Sequence, residues 1–212
     1  MMLLAQEAET PQIKFALLSA PVYNLDMRLS PQMERIYITA SFTVERDSLN
    51  EADYYSFFLN KDANVESVKI NDVLANMTLT SNLVPEHFNP VLPIPALLDS
   101  NSVVRCYSFK LADKFNPAGS ASFSIKYWVP LPNFQDNPGG FKCSGYLSNQ
   151  FWFPRNIEGP SRVNTKMVSS SSYKLELGPD CKFTDKDGIR THQSSFQDSP
   201  DNTSTPFRII KG

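Results

Sequence analysis

The chain has 212 residues, 41% of them hydrophobic, with 15 Phe and 8 Tyr. That is apolar enough for a sizeable core and excludes intrinsic disorder. Lys plus Arg is 20 against 22 Asp plus Glu, a net charge of -2 with no run of like sign, which gives no field for nucleic acid or anionic lipid.

Residues 1–12 read as loose. Met1-Met2-Leu3-Leu4-Ala5 hints at the end of a secretory signal but lacks a basic head, so a frayed terminus is expected. Ile13 to Leu18 reads as a first strand, stopped by Pro21, and Leu29-Ser30-Pro31-Gln32 as a turn. Ile36 to Val44 alternates apolar with small or polar residues at period two, the pattern of a strand with one face buried. Tyr54 to Leu59 and Val65 to Ile70 follow as strands, joined by polar linkers short enough for a meander. Asn71-Asp72 reads as a hairpin tip, with Met77 to Thr80 as the return strand.

Four prolines at 85, 90, 93 and 95 deny regular structure to residues 81–102. Val103 to Leu111 alternates again. Ala121 to Val129 is a clean strand with Phe123, Ile125, Tyr127 and Val129 on one face. Residues 130–145 read as loop, Lys174 to Leu177 as strand, and Asp187-Gly188 as a turn. Residues 191–206 are polar and expected to be loose, and Phe207 to Ile210 reads as an edge strand. The expectation is an all-β single domain over 1–212: an antiparallel sandwich or saddle-like sheet pair of about seven to ten strands, with little or no helix.

Catalytic signatures are missing from the sequence. His87 and His192 read as solvated loop residues, and no H-E-x-x-H pair occurs. Cys106, Cys143 and Cys181 are too far apart for a C-x-x-C site, and read either as thiols or as one disulfide with a spare. There is no G-x-S-x-G elbow and no phosphate loop. Asp185 with Asp187, and Glu51 with Asp53, read as turn charges rather than a calcium loop. Asn76-Met77-Thr78 and Asn202-Thr203-Ser204 match the glycosylation sequon. No stretch reaches the length of a membrane span, and the compartment is not written in the chain. Trp128, Phe151, Trp152 and Phe153 are candidates for a sugar-stacking platform, with core packing as the alternative.

The strand rhythm resembles the N-terminal β-domain of zinc aminopeptidases of the aminopeptidase N type. The resemblance runs over about residues 36–190. It rests on the strands from Ile36 and Tyr55, the strand Val65 to Ile70 with its Asn71-Asp72 tip, and the Asn116-Pro117-Ala118-Gly119 turn. It continues through Ala121 to Trp128, the aromatic-Pro phrase Phe151-Trp152-Phe153-Pro154, and Ser172 to Pro179. The chain departs from the family in having Asn149-Gln150 before that phrase and Arg155-Asn156 after it. It also lacks the family's Gly-x-Met-Glu-Asn run and zinc helix. The family places a substrate-contacting Gln before that Pro; Gln150 lies in the neighbourhood at a shorter spacing. The resemblance implies a non-catalytic domain without cofactor. Such a domain serves as scaffold or interaction module for a protein partner or for itself, through its edge strands and the Phe151 to Arg155 loop. A glycan- or ligand-binding sandwich using exposed aromatics is the alternative.

Overall fold

The computed structural model describes residues 22–45, 54–60, 62–76, 78–83, 104–110, 114, 119–131, 141–142, 152–154, 161–177, 180–198 and 207–211. The strands are β1 (Val22–Ser30), β2 (Arg35–Glu45), β3 (Tyr54–Asn60), β4 (Asn64–Ile70), β5 (Val73–Leu74), β6 (Thr78–Leu83) and β7 (Val104–Lys110). They continue with β8 (Ser120–Pro130), β9 (Phe141–Lys142), β10 (Ser161–Ser170), β11 (Tyr173–Leu177), β12 (Lys182–Lys186), β13 (Ile189–Asp198) and β14 (Phe207–Lys211). Among the described residues the only helical element is a 3-10 turn, Pro31–Met33. An 8-stranded sheet has the order β12-β13-β10-β1-β2-β8-β4-β5, and two 3-stranded sheets have the orders β11-β14-β9 and β3-β7-β6. The all-β architecture of packed sheets expected from period-two alternation is present, in more strands than expected.

The centre of the large sheet follows directly from the sequence. In β8 the residues Phe123, Ile125, Tyr127 and Val129 face inward, and β2 supplies Ile36, Ile38, Ala40, Phe42 and Val44 opposite them. Each large apolar side chain fully buried in this way stabilises the fold by roughly 1.5–3 kcal/mol. Phe42 and Phe123 are register partners, and their rings stack with centroids 5.0 Å apart. The β3-β7-β6 sheet covers this region: Phe109 meets Phe123 edge-on at 5.8 Å and stacks with Phe57 at 5.6 Å. The β11-β14-β9 sheet adds Leu175 and Ile209 to the same core.

Several expectations need correction. The predicted strand Ile13 to Leu18 lies outside the described residues, and the first described strand is β1, beyond Pro21. β1 alternates completely between exposed and buried. It turns through Pro31–Met33 into β2, where Glu34 takes a left-handed φ of 48° and donates its N–H to the Pro31 carbonyl at 3.1 Å. The consecutive strands β2, β3 and β4 do not form a meander. β2 and β4 both pair with β8, whereas β3 pairs with β7 in the covering layer. Alternation marks a strand's buried face but not its neighbour.

The tip at Asn71-Asp72 is a two-residue hairpin with φ of 49° and 64°, which matches the twist of its flanking strands. Its return strand is only β5; Thr78–Leu83 pairs instead with β7. The segment from residue 191, expected to be loose, is ordered as β13 as far as Asp198. One pair in the large sheet is parallel: β1 runs beside β10 from Val22↔Arg162 to Arg28↔Val168.

Candidate functional site

Among the described residues, the two small sheets cover one face of the large sheet and nothing covers the other. Residues at alternate positions of its strands therefore project outward. They include Asn24, Asp26 and Arg28 on β1, Tyr37, Thr39 and Ser41 on β2, and Ser122, Ser124 and Lys126 on β8. β10 adds Arg162, Asn164 and Lys166, and β13 adds Gln193 and Ser195.

A ladder of side-chain hydrogen bonds crosses three of these strands. Asn164 donates its Nδ2 to Oδ1 of Asn24 at 3.0 Å. Ser195 donates to Asn164 Oδ1 at 2.9 Å, and Arg162 Nε donates to Ser195 Oγ at 3.2 Å. The ladder floors a shallow groove of about 740 Å³, walled by Asp26, Lys166, Asp180, Lys182 and Gln193. A second groove of about 430 Å³ continues from the shared residues Asp26 and Lys166 to Arg28, Tyr37, Thr39, Glu66 and Lys126.

Charge on this face is biased. Arg28, Arg35, Lys69, Lys126, Arg162, Lys166 and Lys182 project from it, outnumbering the carboxylates of Asp26, Glu45, Glu66 and Asp180 around it. Among the described residues, none of these cations is held in a salt bridge. Scattered along the chain, they show no run; the sheet topology gathers them.

The aromatic candidates separate. Trp128 is half-buried on the outer face, with the Arg35 guanidinium 3.9 Å from its ring centroid, so a cation already occupies that ring face. Arg28 sits similarly over Tyr37 at 5.2 Å. Trp152 and Phe153 are core residues, 5% and 2% exposed, so the expected contact loop is corrected at these positions. Phe153 meets Tyr23 edge-on at 5.3 Å, and the Trp152 carbonyl accepts the Tyr127 hydroxyl at 3.1 Å. The aromatic-Pro phrase is thus a plug that pins the chain against β1 and β8. Gln150, Phe151 and Arg155 lie outside the described residues.

Burial holds the Tyr127 hydroxyl well above its ordinary pKa, with the neighbouring Tyr23 adding to the effect. Tyr127→Phe removes its bond to the Trp152 carbonyl and is expected to cost about 1–3 kcal/mol in urea unfolding. A neutral result would show that this bond does not hold the plug.

A second cluster lies on the covered face at the β12–β13 end. His192, expected in a solvated loop, is 1% exposed on β13. Its Nε2 accepts the Leu175 N–H at 3.3 Å, joining β11 to the large sheet. Burial lowers its pKa from the ordinary value. Arg190 forms a two-pronged pair with Asp185, both contacts at 2.7 Å, and its Nη1 donates to the Tyr173 carbonyl at 3.2 Å. The hydrogen bond from Arg190 holds the Asp185 carboxyl below its usual range. The Cys181 thiol donates to the Leu175 carbonyl at 3.4 Å. His87, Cys143, Glu51 and Asp53 lie outside the described residues, as does the side chain of Cys106. Asn76 of the first sequon is exposed, and Asn202 is outside. Among the described residues no group of three His, Cys, Asp or Glu side chains is placed to hold a metal ion, and no helix is long and apolar enough to cross a membrane.

No family model matches this chain, and no curated protein matches it in sequence. Solved structures do match. An M1 zinc metallopeptidase from Deinococcus radiodurans is similar with a TM-score of 0.58 at 14% identity, covering 92% of this chain and 42% of that one. Yeast LTA4 hydrolase in complex with bestatin is similar with a TM-score of 0.60 at 11% identity, covering 98% of this chain and 31% of that one. Native leukotriene A4 hydrolase from Saccharomyces cerevisiae matches with a TM-score of 0.55 at 10% identity, covering 92% and 29%. The chain spans less than half the length of each of these enzymes. It has the fold of a part of the M1 zinc metallopeptidases, as its resemblance to their N-terminal β-domain implied.

Proposed function

We propose that this chain is a non-catalytic β-domain that works as a scaffold and interaction module, packing on a protein partner or on a second copy of itself. The observation that carries this reading is the coverage. The fold accounts for nearly all of this chain but for under half of each peptidase. In those enzymes the same architecture is one part of a longer polypeptide, so its surfaces serve to hold other parts of a protein.

With Trp152 and Phe153 in the core, the contact surface falls to the sheet edge. Val73 and Leu74 on β5 are 64% and 68% exposed, adjacent, and on a strand that is paired on one side only among the described residues. An apolar edge of this kind invites a covering partner.

The test is light scattering after size exclusion, together with cross-linking of cell extract, on the chain and on a Val73→Asp/Leu74→Asp variant. A complex of fixed stoichiometry that the variant abolishes supports the reading. A monomer in both forms, with no cross-link to β5, removes it. Release of amino acids from aminoacyl-coumarin substrates by the purified chain would contradict the non-catalytic part.

A further inference from the structure

The basic groove on the open face lies away from the apolar β5 edge and goes beyond the interaction role. We infer that it binds an acidic polysaccharide, a chain of the uronic-acid type that carries carboxylates among many hydroxyls.

The groove runs across the strands rather than along them, from Lys182 on β12 to Lys126 on β8 and Glu66 on β4. Neighbouring strands lie about 4.8 Å apart, close to the length of one pyranose residue, so each strand crossed meets about one sugar. Cations recur along this path but not on every strand. Lys182 stands on β12, Arg162 and Lys166 on β10, Arg28 on β1, and Lys126 on β8. Among them lie neutral hydrogen-bonding groups: Gln193 and Ser195 on β13, Asn24 on β1 and Thr39 on β2. An extended polyuronate turns successive carboxylates to opposite sides, so only some of them face a flat surface. Cations separated by amides and hydroxyls suit that alternation. Asp26, at the junction of the two grooves, accepts from sugar hydroxyls where a purely cationic surface has nothing to accept with.

Other polyanions fit less well. Single-stranded nucleic acid needs open aromatic faces for stacking, and here arginines lie over Tyr37 and Trp128. An acidic peptide adding as a strand needs unpaired backbone. The groove instead crosses β13, β10, β1, β2 and β8, each paired on both sides.

The test is calorimetric titration of the whole chain with polygalacturonate at low and high salt, beside neutral dextran, polyglutamate and double-stranded DNA. Polygalacturonate is expected to bind, with affinity falling as salt rises, and dextran is not. Lys126→Glu and Lys166→Glu are each expected to weaken binding about tenfold or more, as charge reversal does in a shared groove. Lys174→Glu, on β11 of a covering sheet, is expected to leave it unchanged. Asn24→Ala with Asn164→Ala is expected to weaken polygalacturonate without altering residual DNA binding, a separation that charge alone does not produce. All substituted positions but one are exposed, and Asn164 is half-buried; circular dichroism confirms that each variant folds.

No binding at low salt overturns the proposal. So does polyglutamate or DNA binding as tightly as polygalacturonate, which would assign the face to an acidic protein or to nucleic acid. An affinity unmoved by the two lysine reversals together overturns it as well.

Discussion

Phe123→Ala is expected to remove about 3–5 kcal/mol of stability, the range for truncating a buried aromatic side chain. Phe123 is 2% exposed and joins two layers. Within the large sheet it stacks on Phe42, and across the core it meets Phe109 edge-on. Truncation therefore opens a cavity between sheets that close from different parts of the chain, where neither can relax inward without losing its own register. Domains of this kind have total stabilities of about 5–15 kcal/mol, so the variant is expected to be unfolded in a substantial fraction on mild heating. Urea unfolding followed by far-ultraviolet circular dichroism measures it. A loss under about 1 kcal/mol, well below that range, would mean that the β3-β7-β6 layer is not locked to the large sheet through this ring.

The second large effect is on acid stability and centres on His192. Desolvation is the main cause of its lowered pKa; the Tyr173 carbonyl and Asp185 oppose it, while Arg190 and Lys174 add to it. The neutral ring receives the Leu175 N–H on Nε2, so protonation sets one donor against another. Because the folded pKa lies below the unfolded one, the unfolded chain takes up the proton first. Stability from this residue is complete above about pH 6.5 and is lost as the pH falls toward the folded pKa, at up to about 1.4 kcal/mol per unit. The difference between the chain and His192→Gln, followed by urea unfolding at about pH 7.5, 6.5 and 5.5, isolates this one group from the carboxylates, which titrate lower. The difference is expected to narrow as pH falls. A pH-independent difference would mean that His192 does not titrate against folding. Exchange of the Leu175 amide should quicken over the same interval, since that N–H loses its acceptor.

The strands legible in the sequence were those with strong alternation and strong strand formers, β2 and β8 foremost. β1 alternates just as regularly. However, its outward positions include Asn24 and Asp26, residue types poorly represented in strands, and Pro21 stands before it. β10 and β13 were hidden by small polar residues on the inner face, Ser161, Thr165 and Ser169 on one and Ser194 on the other, which blur the pattern. His192 looked like a loop residue for the same reason.

Beyond the Asn71-Asp72 hairpin tip, pairing was not legible, because a strand's buried face is local information and its partner is not. The basic face follows from pairing: its cations come from strands far apart in the sequence, one or two from each. Trp152 and Phe153 illustrate the converse. An aromatic cluster beside a proline reads equally well as platform or plug, and only its contacts with Tyr23 and Tyr127 decide for plug.

The parallel pair of β1 and β10 has a consequence for synthesis on the ribosome. Asn24 and its partner Asn164 are 140 residues apart, with most of the domain made between them. At ordinary translation speeds β1 waits on the order of ten seconds with one edge unpaired. Throughout that interval the backbone edge of β1 that later meets β10 stays without its partner strand. Changes that slow translation between these strands are therefore expected to lower the folded yield without altering the finished protein.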